Sequence, residues 1–155
     1  MRIGLGHDTH RLVEGTELVL GGVRIPFSHS LHGHSDADVL LHAITDALLG
    51  AAALGDIGEL FPDNDPANRG RSSVDMLQIA YRKVLEKGYA ITNLDCIIFA
   101  EKPKLGPLKQ TIRERIAEVL ELQLDQIGLK AKTGEKVGPI GRMEAISAEA
   151  VVLLE

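Results

Sequence analysis

The sequence predicts an α/β (α+β) fold: a single domain, residues 1–155, with helices packed on one face of a mixed β-sheet. Strand-like and helix-like segments alternate along the chain, and this is the pattern of a layered α/β structure. The length of 155 residues, with 45% hydrophobic and 25% charged residues, is enough for one buried core. No repeat or low-complexity tract interrupts the pattern.

The first elements are three short strands. Residues 2–6 alternate in a way that is typical of a strand, and residues 17–20 and 23–25 form a second such pair. Gly21 and Gly22 separate the members of that pair. Two glycines between alternating segments predict a tight hairpin.

The first helix is predicted to open at Ser35, which is a plausible N-cap because Asp38 follows three residues later. Its apolar stripe ends near Gly55. Residues 55–70 are rich in Gly, Pro, Asp and Asn and are expected to be a loop.

The rest of the chain continues the alternation. A second helix is predicted to begin at Ser72 or Ser73 and to stop at Gly88. A strand, a third helix and two strands then follow: residues 90–100, 105–122, 127–131 and 143–154. Cys96, the one cysteine, is interpreted as a small buried hydrophobe in the first of these strands.

Composition argues against several classes of protein. A net charge of −5 and the lack of tryptophan argue against nucleic-acid binding. No apolar run approaches the roughly 20 residues that span a bilayer, so no membrane partner is expected. A lone cysteine and no signal-peptide pattern favour a bacterial-type cytoplasm, or a plastid stroma if a transit peptide was removed.

Histidine is distributed very unevenly. The chain has six histidines, and all of them lie in the first 42 residues: His7, His10, His29, His32, His34 and His42. This clustering is a compositional signal for metal or phosphate chemistry.

Three residues have the spacing of a metal site. Asp8 and His10 are two apart on an extended chain and therefore point to the same side. His42, on the first helix, is a candidate third ligand. Two imidazoles and one carboxylate suit Zn²⁺ and leave a fourth position open. Asp38 and Asp46, four residues either side of His42, are candidates to accept the proton of its second nitrogen.

Other interpretations of the histidines remain open. The segment 32–38 is similar to the HxHxDH signature of metallo-β-lactamase-type hydrolases, but Asp38 stands where the last histidine belongs. His34 and Ser35, at the start of the first helix, are candidates to bind phosphate there. His7 is expected to point away from Asp8, into packing or a subunit contact. His29 and His32 are interpreted as exposed loop residues.

Several motifs together resemble one known family. They are DTH at 8–10, HSDADVLLH at 34–42, TDALLGAAALGDIG at 45–58, FPD at 61–63, AEKPK at 100–104, KTGEK at 132–136 and GRME at 141–144. The family is that of the 2-C-methyl-D-erythritol 2,4-cyclodiphosphate synthases of the non-mevalonate isoprenoid pathway, and the resemblance runs nearly end to end.

The resemblance implies a reaction and two metal ions. The substrate is 4-diphosphocytidyl-2-C-methyl-D-erythritol 2-phosphate, whose 2-phosphate attacks the β-phosphorus, so that CMP leaves and a cyclic diphosphate forms. Asp8, His10 and His42 are implied to hold Zn²⁺, and Glu135 is implied to help hold Mg²⁺ or Mn²⁺ between the α- and β-phosphates.

The resemblance also implies a substrate site and a homotrimer with active sites between subunits. His34 and Thr133 contact the reacting phosphates. The full set of implied substrate contacts is Asp8, His10, His34, Ser35, Asp56, Gly58, Asp63, Asp65, Ala100, Lys104, Lys132, Thr133, Glu135 and Arg142. Arg142 and Glu144 are placed near the trimer axis. The chain departs from the family pattern at Lys132, Gly134, Pro139 and His7.

The residues alone reach a less specific conclusion, a metal-assisted enzyme that acts on phosphate. Two alternatives stay open on that basis. A metal-dependent phosphohydrolase would release inorganic phosphate rather than CMP, and a non-catalytic metal-binding module would take up zinc without turning over the substrate.

Overall fold

The fold is built on a mixed sheet with the strand order β4-β1-β7-β5-β6, in a computed structural model that describes residues 1–62 and 64–155. A separate hairpin pairs β2 with β3. The strands are β1 (Arg2–Glu14), β2 (Glu17–Leu20), β3 (Val23–Pro26), β4 (His29–Leu31), β5 (Ile91–Phe99), β6 (Ile127–Lys132) and β7 (Ala145–Leu154). The helices are α1 (Val39–Ala52), α2 (Ile57–Leu60), α3 (Ser73–Glu86), α4 (Lys109–Leu120) and α5 (Gly138–Gly141).

The sheet is mixed, as the sequence predicts. β7 runs antiparallel to both β1 and β5, while β5 and β6 are parallel. The long helices cover one face, where Ile146, Ala148, Ala150, Val152 and Leu154 of β7 join the hydrophobic core with the apolar residues of α1 and α4. The fold class predicted from the sequence is therefore confirmed.

Helix α1 lies unusually close to β1. A Cβ atom added at Gly4 would come within 1.9 Å of the Ala47 carbonyl oxygen, and one at Gly6 would come within 1.9 Å of the Ala43 carbonyl oxygen. Only glycine permits this approach. Because Gly4 and Gly6 face the helix, the even-numbered residues that follow them on β1 face it as well.

The start of α1 differs from the prediction. The N-cap is Asp38, whose Oδ1 accepts from the backbone N–H of Leu41 at 3.1 Å, and not Ser35. Asp38 also accepts from the N–H groups of Gly21 and Gly22 at 2.9 and 2.7 Å. These two glycines have φ values of +60° and +74° and form the predicted hairpin turn. One buried carboxylate thus joins the hairpin to the helix.

Other boundaries also needed correction. β1 continues to Glu14, because pairing with β7 and β4 holds its polar second half in the sheet, and β4 itself was not predicted. The predicted loop 55–70 contains α2, which Asp56 caps, and a 3₁₀ turn at Pro66–Asn68. Short-range patterns do not reveal such single turns.

The remaining elements agree with the prediction to within a few residues. α3 begins after its N-cap Ser72, and Cys96 is fully buried in β5, where burial raises the pKa of its thiol. No helix within residues 1–62 or 64–155 has the length and apolar character that a membrane span requires.

The opposite face of the sheet is open. Ile3 and Leu5 of β1 are 73% and 68% exposed, and Val151 of β7 is 44% exposed. His7 lies on the same face, with its Nδ1 3.7 Å from an Oε1 of Glu149. His7 therefore points away from Asp8, as expected, but its side chain stays 57% exposed rather than packed among the described residues.

Candidate metal centre and active-site cleft

Three predicted ligands meet between β1 and α1. Asp8 and His10 lie on the face of β1 that looks toward the helix, and His42 is in the first turn of α1. The close approach of α1 to β1 at Gly6 brings His42 to the level of Asp8. Asp8, His10 and His42 are the candidate metal-ligand group found among the residues that the structure describes.

The donor atoms of these residues form a compact triangle. Asp8 Oδ2 is 2.9 Å from His10 Nε2 and 3.0 Å from His42 Nδ1. The two nitrogens are 3.2 Å apart. Two ligands bound at about 2.0 Å to a tetrahedral ion lie about 3.3 Å apart. These separations therefore fit three ligands of one divalent ion.

The electrostatics of the triangle also favour a cation. The side chains are 25%, 18% and 12% exposed for Asp8, His10 and His42. Burial opposes ionisation of Asp8, but the hydrogen bonds and charges of the two histidines outweigh it and hold its pKa below the usual range. Burial lowers the pKa of His10, but the hydrogen bond and charge of Asp8 outweigh this and raise it. The site thus stabilises positive charge beside the carboxylate.

The outer nitrogens of both imidazoles have defined partners. His10 Nδ1 lies 2.8 Å from the carbonyl oxygen of His32, which can only accept, so this nitrogen carries the proton and Nε2 is free to bind a metal. His42 Nε2 lies 2.8 Å from Ser73 Oγ and 3.3 Å from Ser35 Oγ. The exposed loop residue His32 thus orients His10 with its backbone carbonyl group.

The predicted partners of His42 were wrong. Asp38 is fully buried under the hairpin turn, and Asp46 accepts from the backbone N–H of Ile57 at 2.8 Å. No local pattern in the sequence predicts the contact with Ser73, which lies 31 positions from His42 and reaches it through the packing of α3 on α1. The sequence places Ser73 at the start of a helix, but it does not indicate that Ser73 lies next to His42.

The triangle opens into a cleft of about 780 Å³. Its lining includes the predicted substrate residues His34, Ser35, Gly58 and Asp65, together with Phe61 and Arg69. The carbonyl oxygen of His34 accepts from the N–H of Gly70 at 3.1 Å, which ties the loop after α2 to this side of the cleft. Asp56 is exposed and caps α2, and Asp63 lies outside the described residues.

The predicted anion site at the start of α1 needs correction. His34 and Ser35 lie in the turns before α1 rather than on its first turn, and Asp38 already occupies the N–H of Leu41. Ser35 Oγ accepts from the N–H of Ala37 at 3.1 Å. Any phosphate contact by His34 and Ser35 therefore comes from their side chains in the cleft, not from the end of the helix.

The other predicted site residues form a second group at the ends of β5 and β6. The N–H of Ala100 donates to the carbonyl oxygen of Lys132 at 2.9 Å, and that of Gly134 donates to Glu101 at 3.1 Å. Thr133 Oγ1 donates to Glu135 Oε1 at 3.3 Å. We call residues 100–104 and 132–135 the distal group.

The distal group does not join the metal triangle within one chain. Asp8 pairs with Ala148, and Ala148 pairs with Ile98, so the two groups lie near the same ends of their respective strands. However, β7 and β5 separate β1 from β6, and three strand spacings amount to about 14 Å. Lys104, Thr133 and Glu135 are exposed and do not line the cleft, and Arg142 pairs with Glu144 at 2.7 Å near α5.

Comparison with known proteins shows which family the chain belongs to. The YgbB family description matches residues 1–155. The chain belongs to the YgbB family. A curated relative from Solibacter usitatus, a 2-C-methyl-D-erythritol 2,4-cyclodiphosphate synthase, is 54% identical over 155 residues, which is 100% of this chain and 98% of the relative. The resemblance seen in the motifs is therefore confirmed.

Solved structures of the YgbB fold support the same relationship. A 2C-methyl-D-erythritol-2,4-cyclodiphosphate synthase in its CDP-bound form is 42% identical, with a TM-score of 0.92 over 99% of this chain and 100% of that chain. The IspF protein of Plasmodium falciparum in complex with CDP is 38% identical, with a TM-score of 0.86 over 99% of this chain and 94% of that chain. Membership of this family sets aside the metallo-β-lactamase interpretation of segment 32–38.

Proposed function

We propose that this chain is the lyase that converts 4-diphosphocytidyl-2-C-methyl-D-erythritol 2-phosphate into 2-C-methyl-D-erythritol 2,4-cyclodiphosphate and CMP. The observation that carries the proposal is the triangle of Asp8, His10 and His42 at the base of a cleft lined by the motif residues. The names of the relatives supply the reaction, and the CDP-bound relatives support a cytidine diphosphate ligand.

Asp8, His10 and His42 are proposed to hold Zn²⁺, which would polarise the β-phosphate and neutralise charge as CMP departs. With one carboxylate and two neutral imidazoles, the loaded site carries about one net positive charge. A chain with a net charge of −5 can therefore attract a polyanion at this one place.

The remaining task of the chain is alignment. The attacking 2-phosphate oxygen is already anionic near neutral pH, so no strong general base is needed. His34 and Ser35 lie in the cleft, where their side chains can donate hydrogen bonds to the reacting phosphates. Asp56, Gly58, Asp63 and Asp65 are proposed to orient the ribose and erythritol hydroxyl groups.

The distal group is proposed to bind the cytidine end of the substrate. Ala100, Lys104 and Lys132 would line the cytidine pocket. Thr133 would contact the reacting phosphates, and Glu135 would help hold a second ion, Mg²⁺ or Mn²⁺. Because three strand spacings separate the distal group from the metal triangle of its own chain, we propose that a neighbouring copy supplies it.

A homotrimer provides such a neighbour. The open face of the sheet exposes Ile3, Leu5 and Val151, and burial of apolar side chains is the main driving force of association. Arg142 and Glu144, an exposed ion pair, are proposed to lie near the trimer axis, with Arg142 contacting substrate. We also propose a bacterial-type cytoplasmic location, which the bacterial sources of the curated relatives support.

Phosphorus NMR of the full chain with the cytidine substrate tests the reaction. The expected products are CMP and a cyclic diphosphate, which has two coupled phosphorus signals. Release of inorganic phosphate would instead identify a metal-dependent phosphohydrolase. Zinc uptake without any turnover would identify a non-catalytic metal-binding module.

A further inference from the structure

A chain of hydrogen bonds runs outward from the metal triangle to a carboxylate that does not touch it. Ser73 Oγ lies 2.8 Å from His42 Nε2, and the same hydroxyl donates to Asp36 Oδ1. The other carboxylate oxygen, Oδ2, accepts from the backbone N–H of Ser73 at 3.2 Å. Asp36 therefore accepts a hydrogen bond from Ser73 with each of its two carboxylate oxygens.

The proton count along this chain has one consistent solution. A serine hydroxyl has one proton to donate, and a carboxylate only accepts. Once Ser73 donates to Asp36, its oxygen can only accept from His42 Nε2, so that this nitrogen carries the imidazole proton. Nδ1, the atom that faces Asp8 and His10, is then left with its lone pair.

We propose that Asp36 and Ser73 are positioning residues of the metal centre, which hold His42 in the tautomer and orientation that present Nδ1 to the ion. This inference rests on the proposed function only for the identity of the ion. Ser73 is fully buried, which favours a single arrangement of the hydroxyl, and its oxygen lies 0.5 Å closer to His42 Nε2 than that of Ser35, at 2.8 against 3.3 Å.

The arrangement also links two helices to one ligand. Asp36 lies in the turns before α1, and Ser73 is the first residue of α3, which follows the loop that lines the cleft. Groups that hydrogen-bond to a metal-ligating histidine, as Ser73 does here, usually change metal affinity by about 10- to 100-fold when they are mutated. We expect an effect of that size here.

The test measures zinc affinity of the full chain by competition with a chromophoric chelator. Ser73→Ala and Asp36→Asn should each weaken zinc binding by about 10- to 100-fold. Ser72→Ala is the matched control. Ser72 is the neighbouring serine and caps α3 by accepting from the N–H of Val74 at 3.2 Å, but it does not contact His42. It should bind zinc within about threefold of the wild type.

A double-mutant cycle distinguishes an effect of Asp36 that is transmitted through Ser73, which we call the relay, from general damage to the fold. If Asp36 acts through Ser73, the double variant should bind zinc no more than about threefold more weakly than Ser73→Ala alone. Additive losses, or equal affinities for Ser73→Ala and Ser72→Ala, would overturn the proposal. Nitrogen NMR of the zinc-loaded wild type should show His42 protonated at Nε2, and protonation at Nδ1 would also overturn it.

Failure of the proposed function gives a different result. A wild-type chain that takes up no zinc would reject the zinc centre itself, and this relay with it. If the chain binds zinc and the losses of affinity in the Asp36 and Ser73 variants are not additive, but no CMP is formed, the proposed reaction is rejected and the relay through Ser73 is retained.

Discussion

The metal triangle and the distal group differ in how completely one chain builds them. The triangle lies between a strand and a nearly buried helix, and each of its histidines has a partner on its outer nitrogen. The distal group lies in turns at the ends of β5 and β6, where Lys132, Thr133 and Glu135 are exposed and Thr133 and Glu135 contact each other.

This difference shows that the triangle is preorganised within one chain. Holding three ligands about 3 Å apart costs conformational free energy. Folding of the chain offsets this cost before an ion binds, so the ion binds to preorganised ligands. Lys132, Thr133 and Glu135 of the distal group are exposed, so a substrate or a neighbouring copy is expected to complete their surroundings. We therefore expect the triangle to control metal content and the distal group to control substrate and assembly.

Removal of a ligand from the triangle should have the largest effect. His42→Ala is expected to lose zinc and to lower kcat/KM by roughly 1000-fold or more, since metal charge stabilisation amounts to several kcal/mol. Metal analysis of the purified variant and the CMP assay measure both. The control is His29→Ala, a histidine of β4 beside Phe27 and outside the triangle. Full activity of metal-free His42→Ala would reject the assignment.

A change in the distal group should affect the second ion alone. Glu135→Gln is expected to lower activity by about 10- to 100-fold at low Mg²⁺, with partial recovery at high Mg²⁺, because one anionic ligand is lost. Zinc content should stay at the wild-type level. Glu86→Gln, an exposed position on α3, should change neither quantity. An unchanged Mg²⁺ dependence in Glu135→Gln would count against the role of Glu135.

Mixing these two impaired variants at low Mg²⁺ tests whether the two groups of residues act from different copies. In trimers re-formed from equal amounts of His42→Ala and Glu135→Gln, about one site in four combines an intact triangle with an intact distal group. Activity should recover to about a quarter of the wild-type level. Mixed trimers with no recovery would place both halves of each site in one chain, as would an active monomer in sizing chromatography.

The smallest effect concerns the stability of the scaffold beneath the triangle. Burial outweighs three backbone hydrogen bonds and raises the pKa of Asp38 to about 6. Between about pH 4 and pH 6 the folded chain keeps a proton that the unfolded chain releases, so Asp38 makes stability fall as the pH rises through this window.

Urea unfolding of metal-free protein at several pH values measures this contribution. Asp38→Asn does not titrate, so its free energy of unfolding should fall less steeply between pH 4 and pH 6 than that of the wild type. Asp125→Asn, at an exposed position in the turn before β6, is the control and should keep the wild-type slope. Identical slopes for Asp38→Asn and the wild type would disprove the raised pKa.

The sequence predicted most of the fold because its main signals are local. The Gly21-Gly22 hairpin, the N-cap region of α3 and the strand that holds Cys96 depend on residues only a few positions apart. Predictions failed where partners are distant in sequence. The polar second half of β1 is held in the sheet by pairing with β7, and the role of Asp38 as N-cap depends on its contact with the distant hairpin, so local patterns predict neither.

The sequence predicted which residues form the triangle. Alternation along a strand placed Asp8 and His10 on one side, and His42 was a candidate third ligand that the family resemblance supported. Tertiary packing brings His42 level with Asp8 and sets what surrounds the triangle. The packing of α3 on α1 gave His42 the partner Ser73, and the order of strands in the sheet set Glu135 apart from the triangle. Both depend on contacts between elements far apart in the chain, which no local pattern of residues encodes.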